Sequence, residues 1–311
     1  MGANLYDTVI VGGGPAGLSA AIYAGRASMN VLLLEQGMPG GQIALTDTID
    51  NYPGVPETSG AALAQTMQEQ AEGFGVEVAY DTVESVSKSE DGVFQVVGTS
   101  ERYLAKTVIY AGGGIPRQVG FDGEEKFKGR GVSYCATCDG MFYRGKNVFV
   151  IGGGNSACEE ALFLTRFANH VTMVVRRNVF RAPRGGADKV MAHEKIDVRF
   201  ETSVVGVDGD KFLSSITFRN NATGETHTET YDEGSFGVFV FAGYAPVTDP
   251  VAGLVELGAG GGIVTDENMM TSTPGLYCAG DTRVKALRQV VTAASDGAIA
   301  ATSAYKYIEE Q

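Results

Sequence analysis

A glycine-rich turn near the amino terminus is the feature that most constrains how this chain can fold. Residues 8–11 are predicted to form a buried strand, and the motif Gly12-x-Gly14-x-x-Gly17 follows at once, opening a helix predicted over 16–26. In such a motif the first glycine makes a tight turn, the second lets the backbone approach a phosphate, and the third lets helix and strand pack closely. Together they predict a βαβ unit rather than an isolated loop.

The strand after that helix ends in an acid. It is predicted over 31–34 and is followed by Glu35, whose carboxylate is placed to accept hydrogen bonds from a ribose. A pyrophosphate would lie at the positive N-terminus of the helix. The segment therefore predicts a site for a dinucleotide whose adenosine ribose carries a free 2′-hydroxyl group.

The same pattern occurs a second time in the middle of the chain. It comprises a predicted strand, a glycine turn, a helix and another strand, which lie at residues 147–151, Gly152-x-Gly154-x-x-Ala157, 156–167 and 170–175. The sequence therefore predicts two dinucleotide-binding folds on one chain.

The second pattern differs from the first at the end of its last strand. Val175 stands at the position equivalent to Glu35, and Arg176, Arg177 and Arg181 follow it. A carboxylate at this position would repel a 2′-phosphate, whereas guanidinium groups pair with phosphate oxygens. We therefore expect the second site to bind NADPH. The alternative is that these arginines only solvate the end of a strand.

A closely spaced cysteine pair, Cys135 and Cys138, precedes the second pattern and is followed by Asp139. Such a pair can contribute to a zinc site, staple a loop or pass electrons as a dithiol. The other two cysteines lie in a predicted helix and a predicted strand, and the three histidines lack paired spacing, so we expect no metal site. A dithiol between two nucleotide sites predicts an electron relay, with a flavin between NADPH and the disulfide. Asp139 is a candidate acid/base, or else a loop residue capping a turn.

Composition argues against several other functions. The 311 residues carry a formal net charge of −13, so we expect neither a nucleic acid nor an anionic membrane as partner. No hydrophobic run approaches the ~20 residues needed to cross a bilayer. Four cysteines in a chain of this length do not suggest a disulfide-stapled secreted fold, and we expect a cytoplasmic protein.

The whole chain resembles the low-molecular-weight, bacterial-type thioredoxin reductases. Its motifs occur in the order and spacing typical of that family: GGGPAG at 12–17, GGQI at 40–43, DNYPG at 50–54, CATCDG at 135–140, GGGNSACEEA at 152–161, RRNVFRA at 176–182 and CAGDTRVKALRQVVTAASDG at 278–297. Any one of these motifs is weak evidence, whereas their shared order is specific.

The resemblance implies an α/β fold of two Rossmann-like, three-layer nucleotide-binding domains, the second inserted in the first. A discontinuous FAD-binding domain would comprise residues 1–115 and 246–311, and an NADPH-binding domain carrying the cysteine pair would comprise 116–245. In this family the NADPH-binding domain rotates, because dithiol and nicotinamide approach one face of the flavin in turn. The resemblance also implies a homodimer.

Roles for individual residues follow from the same resemblance. Cys138 is the sulfur next to the flavin, Cys135 attacks the disulfide of thioredoxin, and Asp139 is the acid/base. The residues assigned to FAD are Gly12, Gly14, Pro15, Ala16, Gly17, Glu35, Gln36, Gly41, Gln42, Asn51, Gly280, Asp281, Arg288, Gln289 and Val290. The residues assigned to NADPH are Gly152, Gly154, Asn155, Ser156, Arg176, Arg177 and Arg181. Asp281 is expected at a helix N-terminus, after a strand predicted over 275–279.

The implied reaction transfers electrons from NADPH through FAD and the cysteine pair to thioredoxin. Relatives often carry His at position 175 and Asn at position 247, where this chain has valine, and Pro183 and Gly185-Gly186 loosen the segment after the arginines. Two alternatives therefore stay open. One is a related reductase that takes electrons from ferredoxin or another donor, and the other is a dithiol oxidase of the same fold.

Overall fold

The computed structural model describes residues 4–46 and 49–311. The chain forms two compact units, a discontinuous unit (Met1–Ile115 with Ala245–Gln311) and an inserted unit (Pro116–Tyr244). Over the described residues, no helix combines the length and the apolar character needed to span a membrane.

Six α-helices and 17 strands are formed by the described residues. The helices are α1 (Pro15–Arg26), α2 (Gly60–Gly73), α3 (Ala136–Asp139), α4 (Asn155–Leu164), α5 (Arg184–Met191) and α6 (Val290–Glu309). The strands are β1 (Leu5–Val11), β2 (Val31–Glu35), β3 (Glu77–Tyr80), β4 (Val83–Lys88), β5 (Phe94–Gly98), β6 (Arg102–Tyr110), β7 (Gly114–Pro116), β8 (Val132–Ser133), β9 (Asn147–Ile151), β10 (His170–Val174), β11 (Ile196–Arg199), β12 (Thr202–Gly209), β13 (Leu213–Asn220), β14 (Thr226–Thr230), β15 (Phe236–Val240), β16 (Tyr244–Pro246) and β17 (Leu276–Cys278).

The discontinuous unit is built on a seven-stranded sheet in the order β3-β2-β1-β6-β5-β4, with β17 also paired to β6. The pairs β1–β2, β1–β6, β2–β3 and β6–β17 are parallel, whereas β4, β5 and β6 form an antiparallel meander. Alternate side chains of β1 and β2 face two separate cores, as the two-residue period of a strand requires. Helices α1, α2 and α6 contribute to one of these cores.

The first glycine turn has the geometry that its sequence predicts. Gly12 has φ +104°, and a Cβ atom there would lie 2.4 Å from the carbonyl oxygen of Ala111. A Cβ on Gly17 would lie 1.8 Å from the carbonyl oxygen of Gly12, so only glycine lets α1 pack this closely. Pro15 is the first residue of α1, where its missing N–H costs nothing.

The inserted unit has a five-stranded sheet in the order β11-β10-β9-β15-β8, and every pair in it is parallel. In β9, Val148 and Val150 belong to a core that includes α4, whereas Phe149 and Ile151 face the antiparallel meander β12-β13-β14. The unit therefore has three layers: helices, parallel sheet and meander.

The second glycine turn follows β9, whose observed bounds equal the predicted ones, 147–151. Helix α4 ends at Leu164, three residues before its predicted end. Thr165 explains the early stop, because its hydroxyl donates to the carbonyl oxygen of Leu162 at 2.6 Å and its own N–H bonds the same carbonyl. The following N–H groups also form i→i−3 bonds, which tighten the chain into a turn.

Charge is divided unequally between the two units. Residues 116–244 contain 16 of the 24 Lys and Arg and 16 of the 37 Asp and Glu, so the inserted unit is formally neutral. The discontinuous unit has the remaining 8 basic and 21 acidic residues, and therefore carries the whole net charge of −13.

Candidate functional site

The first glycine turn and Glu35 form one hydrogen-bonded assembly. The N–H of Gly13 donates to Glu35 Oε2 at 2.6 Å, and the N–H of Gly37 donates to Oε1 at 2.9 Å. The side chain is buried. Two carboxylate oxygens have about four acceptor positions, so capacity remains for the predicted bond from a ribose. Gln36, beside it, is exposed.

A short 3₁₀ helix, Gly41–Leu45, lies against this turn. The N–H of Gly40 donates to the carbonyl oxygen of Gly13 at 2.7 Å, and a Cβ on Gly41 would lie 3.5 Å from the Cα of Gly14. The amide of Gln42 donates to the carbonyl oxygen of Gly114 at 3.0 Å. The structure therefore brings together the predicted residues of the turn and of the GGQI motif.

A second group of predicted residues meets the start of α6. Asn51 Nδ2 donates to Gln289 Oε1 at 3.0 Å, and Gln289 is the N-cap of α6, so Val290 is its first residue. Arg288 Nε donates to the carbonyl oxygen of Asp281 at 3.3 Å. The structure thus connects Asn51 with Gln289, and Arg288 with the backbone of Asp281, at the start of α6.

Asp281 lies in the first turn of a short 3₁₀ helix, Gly280–Thr282, which follows β17 and precedes α6. The sequence predicts a helix N-terminus here, and the structure forms one, although the helix is a single turn. Gly280 has φ +80° and lies against α1: a Cβ there would lie 2.8 Å from the Cβ of Ala16. The backbone that carries Asp281 therefore lies close to the first turn of α1.

The Asp281 side chain is half-buried, and its Oδ1 atom is shielded from solvent. Its Oδ1 atom has no hydrogen-bond partner among the described residues. Burial raises the pKa of Asp281, although the charges of Lys285 and Arg288 act in the opposite direction. A buried acceptor without a donor is costly, so this atom is suited to a ligand that brings hydroxyl groups. Together with the glycine turn, it fits a dinucleotide with a polyhydroxyl chain, such as FAD.

The second glycine turn borders a pocket in the inserted unit. The pocket is lined by residues of the turn and of neighbouring loops, including Gly154, Asn155, Ser156, Arg181, Tyr134 and Phe241. The backbone N–H of Arg181 donates to the carbonyl oxygen of Gly153 at 2.7 Å, and a Cβ on Gly154 would lie 3.3 Å from its Nη2 atom. Arg181 therefore lies over the turn, as a phosphate-binding residue must.

Arg176 and Arg177 follow β10 at the same edge of the sheet, because β9 and β10 are parallel and the glycine turn follows β9. Both side chains are exposed, while Val175 is buried. Their backbones are held: the carbonyl oxygens of Arg176 and Arg177 accept from Asn221 and from Glu201. Within the described chain, no hydrogen bond or ion pair occupies their guanidinium groups, which leaves them available to an anionic ligand.

Cys135 and Cys138 are joined by a disulfide bond, with 5.3 Å between their Cα atoms. Cys135 is the N-cap of the short helix α3, and its sulfur accepts the N–H of Cys138 at 3.1 Å. An N–H directed at this sulfur favours a thiolate over a thiol once the bond is reduced. Ser133 fixes the approach to the helix, because its hydroxyl accepts the N–H of Cys135 at 3.1 Å.

Asp139 ends helix α3, and its N–H donates to the carbonyl oxygen of Cys135 at 3.2 Å. Burial, together with the Asp139 charge, raises the pKa of Tyr143 to about 12, so the two side chains are electrostatically coupled. The carboxyl is partly exposed and adjoins Cys138 in sequence. This position suits proton exchange with a thiol of the pair.

The other two cysteines are shielded from redox chemistry. Cys158 in α4 and Cys278 in β17 are fully buried. Burial raises the pKa of Cys158 to about 11 and raises that of Cys278 as well. Since the thiolate is the reactive form, disulfide exchange is confined to Cys135 and Cys138.

Sequence reasoning missed a buried carboxylate that holds the approach to the cysteine pair. Glu124 accepts the N–H groups of Val119 at 3.0 Å and Gly120 at 2.6 Å, and the hydroxyl of Tyr134 at 2.7 Å. Tyr134 directly precedes Cys135, so Glu124 ties the segment after β7 to the redox loop. In the sequence Glu124 is one acid of a polar loop, and only its contacts distinguish it.

The comparisons with known proteins agree with this arrangement. A family model described as "Pyridine nucleotide-disulphide oxidoreductase" matches residues 6–297, and the chain belongs to that family. The thioredoxin reductase of Peptoclostridium litorale is 48% identical over 310 residues, which cover 99% of this chain and 98% of the relative. That of Peptoclostridium acidaminophilum is 46% identical over 311 residues, with 98% of each covered.

A solved structure, that of the Lactococcus lactis thioredoxin reductase, is 41% identical, with a TM-score of 0.94 over 98% of this chain and 100% of that chain. Within its family, the chain therefore belongs to the bacterial-type thioredoxin reductases. The resemblance predicted from the motifs and the predicted fold class are both confirmed.

Proposed function

We propose that this chain passes electrons from NADPH, through a bound FAD and the Cys135–Cys138 disulfide, to the disulfide of a thioredoxin. The main support for this proposal is the disulfide, because Cys135 and Cys138 are bonded and accessible, whereas the other described cysteines are free and buried. The relatives named thioredoxin reductase support the choice of protein substrate.

FAD fits the discontinuous unit, in which three sets of groups would hold it. The N–H groups at the start of α1 would face its pyrophosphate, Glu35 its adenosine ribose, and Asp281 the hydroxyl groups between pyrophosphate and ring. When bound, FAD accepts a hydride from NADPH and supplies the electron pair that reduces a disulfide.

The cysteine pair performs the exchange with the partner. Its disulfide takes up two electrons and two protons to become two thiols, and Asp139 exchanges a proton at the sulfur of Cys138. The Cys135 thiolate then attacks one sulfur of the partner's disulfide, which releases the other partner sulfur as a thiol after protonation. Cys138 attacks the mixed disulfide, the partner leaves as a dithiol, and the Cys135–Cys138 bond forms again.

NADPH is the donor that the inserted unit supports best. Arg176 and Arg177 present unoccupied guanidinium groups beside the second glycine turn, and Arg181 lies over that turn. A reductase that took electrons from ferredoxin would have no use for a nucleotide cradle with a phosphate-binding cluster. The ferredoxin-dependent and dithiol-oxidase alternatives are accordingly not favoured.

The same proposal includes a cytoplasmic homodimer. Its support is the family resemblance, together with a cysteine content too low for a disulfide-stapled secreted fold. Sedimentation of the FAD-loaded protein measures the oligomeric state, and a mass of about 33 kDa, against 32.7 kDa for one chain, would contradict the dimer.

The electron path is tested by anaerobic spectrophotometry of the FAD-loaded protein. NADPH should bleach the flavin band quickly, NADH much more slowly, and oxidised thioredoxin should restore it. If NADPH leaves the flavin oxidised and reduced ferredoxin bleaches it, the proposed donor is wrong. If NADPH bleaches it and thioredoxin does not restore it, the proposed substrate is wrong.

Cysteine variants separate the two halves of the reaction. In Cys135→Ser and Cys138→Ser, NADPH should still bleach the flavin, while turnover with thioredoxin should be lost because no disulfide can form. Cys158→Ala is the matched control, since this buried thiol takes no part. Loss of thioredoxin turnover in the control as well would remove the special role of the pair.

A further inference from the structure

A buried ionic cluster in the discontinuous unit lies beside the proposed flavin site and takes no direct part in the proposed electron transfer. Asp296, in α6, accepts the N–H of Gly280 at 3.1 Å, Arg283 Nη1 at 3.1 Å and Lys285 Nζ at 2.6 Å. Only 8% of the Asp296 side chain and 7% of the Lys285 side chain are exposed. Buried charges of this kind are expensive unless they are paired, so the cluster must be closely balanced.

The charges of the cluster sum to zero only when a second anion is included. Arg283 and Lys285 contribute two positive charges, and Asp296 contributes one negative charge. A second carboxyl that interacts electrostatically with Lys285 and with Asp296 is Asp281, because the charge of Lys285 lowers its pKa and the charge of Asp296 raises it. Its Oδ1 atom is buried and has no partner among the described residues. Lys285 is therefore shared electrostatically by two carboxylates but hydrogen-bonded to only one of them.

Asp296 also lies where α6 crosses the glycine-turn helix. The next residue, Gly297, packs so closely on α1 that a Cβ there would lie 2.0 Å from the carbonyl oxygen of Ala16. The N–H that Asp296 accepts belongs to Gly280, which also contacts Ala16 and directly precedes Asp281. The Asp296 carboxylate thus ties α6 to the backbone that carries Asp281, at the place where both pack on the first turn of α1.

We infer that Asp296 is a positioning residue of the flavin site: it fixes the Gly280–Asp281 backbone and holds Lys285 away from Asp281. The Asp281 carboxyl then stays free to accept hydrogen bonds from a ligand with hydroxyl groups. The inference rests on the proposed binding of FAD in this unit. Without Asp296, Lys285 would compete with the ligand for the Asp281 carboxyl, and its pairing with Asp296 removes this competition.

The expected failure of an Asp296 variant follows from the charges. In Asp296→Asn the Gly280 N–H keeps an acceptor, but Lys285 loses its anionic partner and pairs with Asp281, the remaining carboxylate. The acceptor for the ligand hydroxyl is then occupied. Removing the lysine as well, in Asp296→Asn with Lys285→Met, frees Asp281 again and leaves Arg283, which still donates to the Thr265 hydroxyl, as the one remaining cation of the cluster.

The experiment compares FAD with ADP on the full-length protein after reversible removal of FAD, by titration calorimetry. ADP reaches the glycine turn and Glu35 but lacks the hydroxyl chain assigned to Asp281. Asp296→Asn should raise the Kd for FAD by about tenfold or more, the effect of losing one hydrogen bond to a charged group, and change the Kd for ADP less than about twofold. The double variant should recover most of the affinity for FAD.

The matched control is Asp7→Asn. Asp7 belongs to the same unit, pairs with Lys106 at 2.7 Å and accepts the N–H of Asn30, but it lies at the amino end of β1, away from the glycine turn. This variant should leave both Kd values unchanged.

Three results would overturn the inference: an unchanged Kd for FAD in Asp296→Asn, an equal loss of FAD and ADP, or no recovery in the double variant. If Asp296→Asn does not fold, the double variant is compared with Asp296→Ala, Lys285→Met, which lacks the acceptor for Gly280. The variant with alanine at position 296 should then bind FAD at least about tenfold more weakly than the variant with asparagine, while the Kd for ADP is the same in both. Wild-type protein that binds ADP but not FAD would instead contradict the proposed function.

Discussion

Asp81 offers a quantitative test of how hydrogen bonds to a buried carboxylate stabilise the discontinuous unit. The side chain lies under the turn between β5 and β6, and 5% of the residue is exposed. Oδ1 accepts from the Thr99 hydroxyl at 2.7 Å and the Ser100 N–H at 3.1 Å. Oδ2 accepts from the Glu101 N–H at 3.2 Å and the Tyr103 hydroxyl at 3.1 Å. Asp81→Asn replaces one of these acceptors by an NH₂ group that faces the donors.

The magnitude follows from the pKa of Asp81. Burial alone would raise it, but the four hydrogen bonds outweigh burial and lower it from 3.8 to about 2. A shift of this size corresponds to roughly 2 kcal/mol of folding free energy, and we expect about 1 to 2 kcal/mol because the turn is near water. For a unit of this size, that lowers Tm by about 2 to 8 °C.

The stabilisation by Asp81 depends on pH. A carboxyl whose pKa is lower in the folded than in the unfolded state stabilises the fold fully at pH values above its unfolded-state pKa. It loses that effect as the pH falls through its folded-state pKa. The difference in Tm between wild type and Asp81→Asn should therefore be complete at pH 7 and shrink between about pH 4 and pH 2.

Thermal unfolding at fixed, saturating FAD measures this difference, with Glu84→Gln on the exposed side of β4 as control. The control should match wild type at every pH. The reasoning would be refuted if Asp81→Asn matched wild type at pH 7, or if its deficit were undiminished at the lowest pH at which the protein folds.

Two further predictions concern the electron path. Replacing Arg176 and Arg177 by Ala should raise the KM for NADPH by about tenfold to a hundredfold, because two exposed charge-assisted contacts are lost. The KM for NADH and the rate of thiol exchange should stay unaltered. Equal changes in KM for both nucleotides would show that the arginines do not bind the 2′-phosphate. Asp139→Asn should slow turnover with thioredoxin by about a hundredfold or more while NADPH binding is unaffected, and an undiminished rate would rule out its role in proton transfer.

Much of the fold around the glycine turns could be predicted, because local rules decide it. The observed bounds of β9 equal the predicted ones, since a short β-branched run followed directly by glycines has few other conformations. Strand β1 begins at Leu5, three residues earlier than predicted. Leu5 is exposed and Asp7 is charged, so the sequence signal is weak there, and only pairing with β6 shows that these residues belong to the sheet.

The candidate site was predictable where residues act through motif spacing and not where they act through tertiary contacts. Cys135 and Cys138 are three residues apart and can bond without help from the rest of the fold. Asp296 is one of two acids in α6 and stands among small residues, and its cationic partners precede that helix in a loop. No periodicity marks such a residue, because its importance arises from what burial brings together.

The unequal division of charge implies that the two nucleotides respond differently to salt. The discontinuous unit is strongly acidic, and the first turn of α1 has no acidic residue, so the pyrophosphate of FAD would be held by backbone N–H groups and the helix dipole at short range. On the proposed function, the inserted unit would hold NADPH through exposed arginines, whose attraction is screened beyond about 8 Å at physiological ionic strength. Rising salt should therefore release NADPH long before it releases FAD, because the pyrophosphate of FAD would depend on short-range backbone contacts rather than on exposed cations.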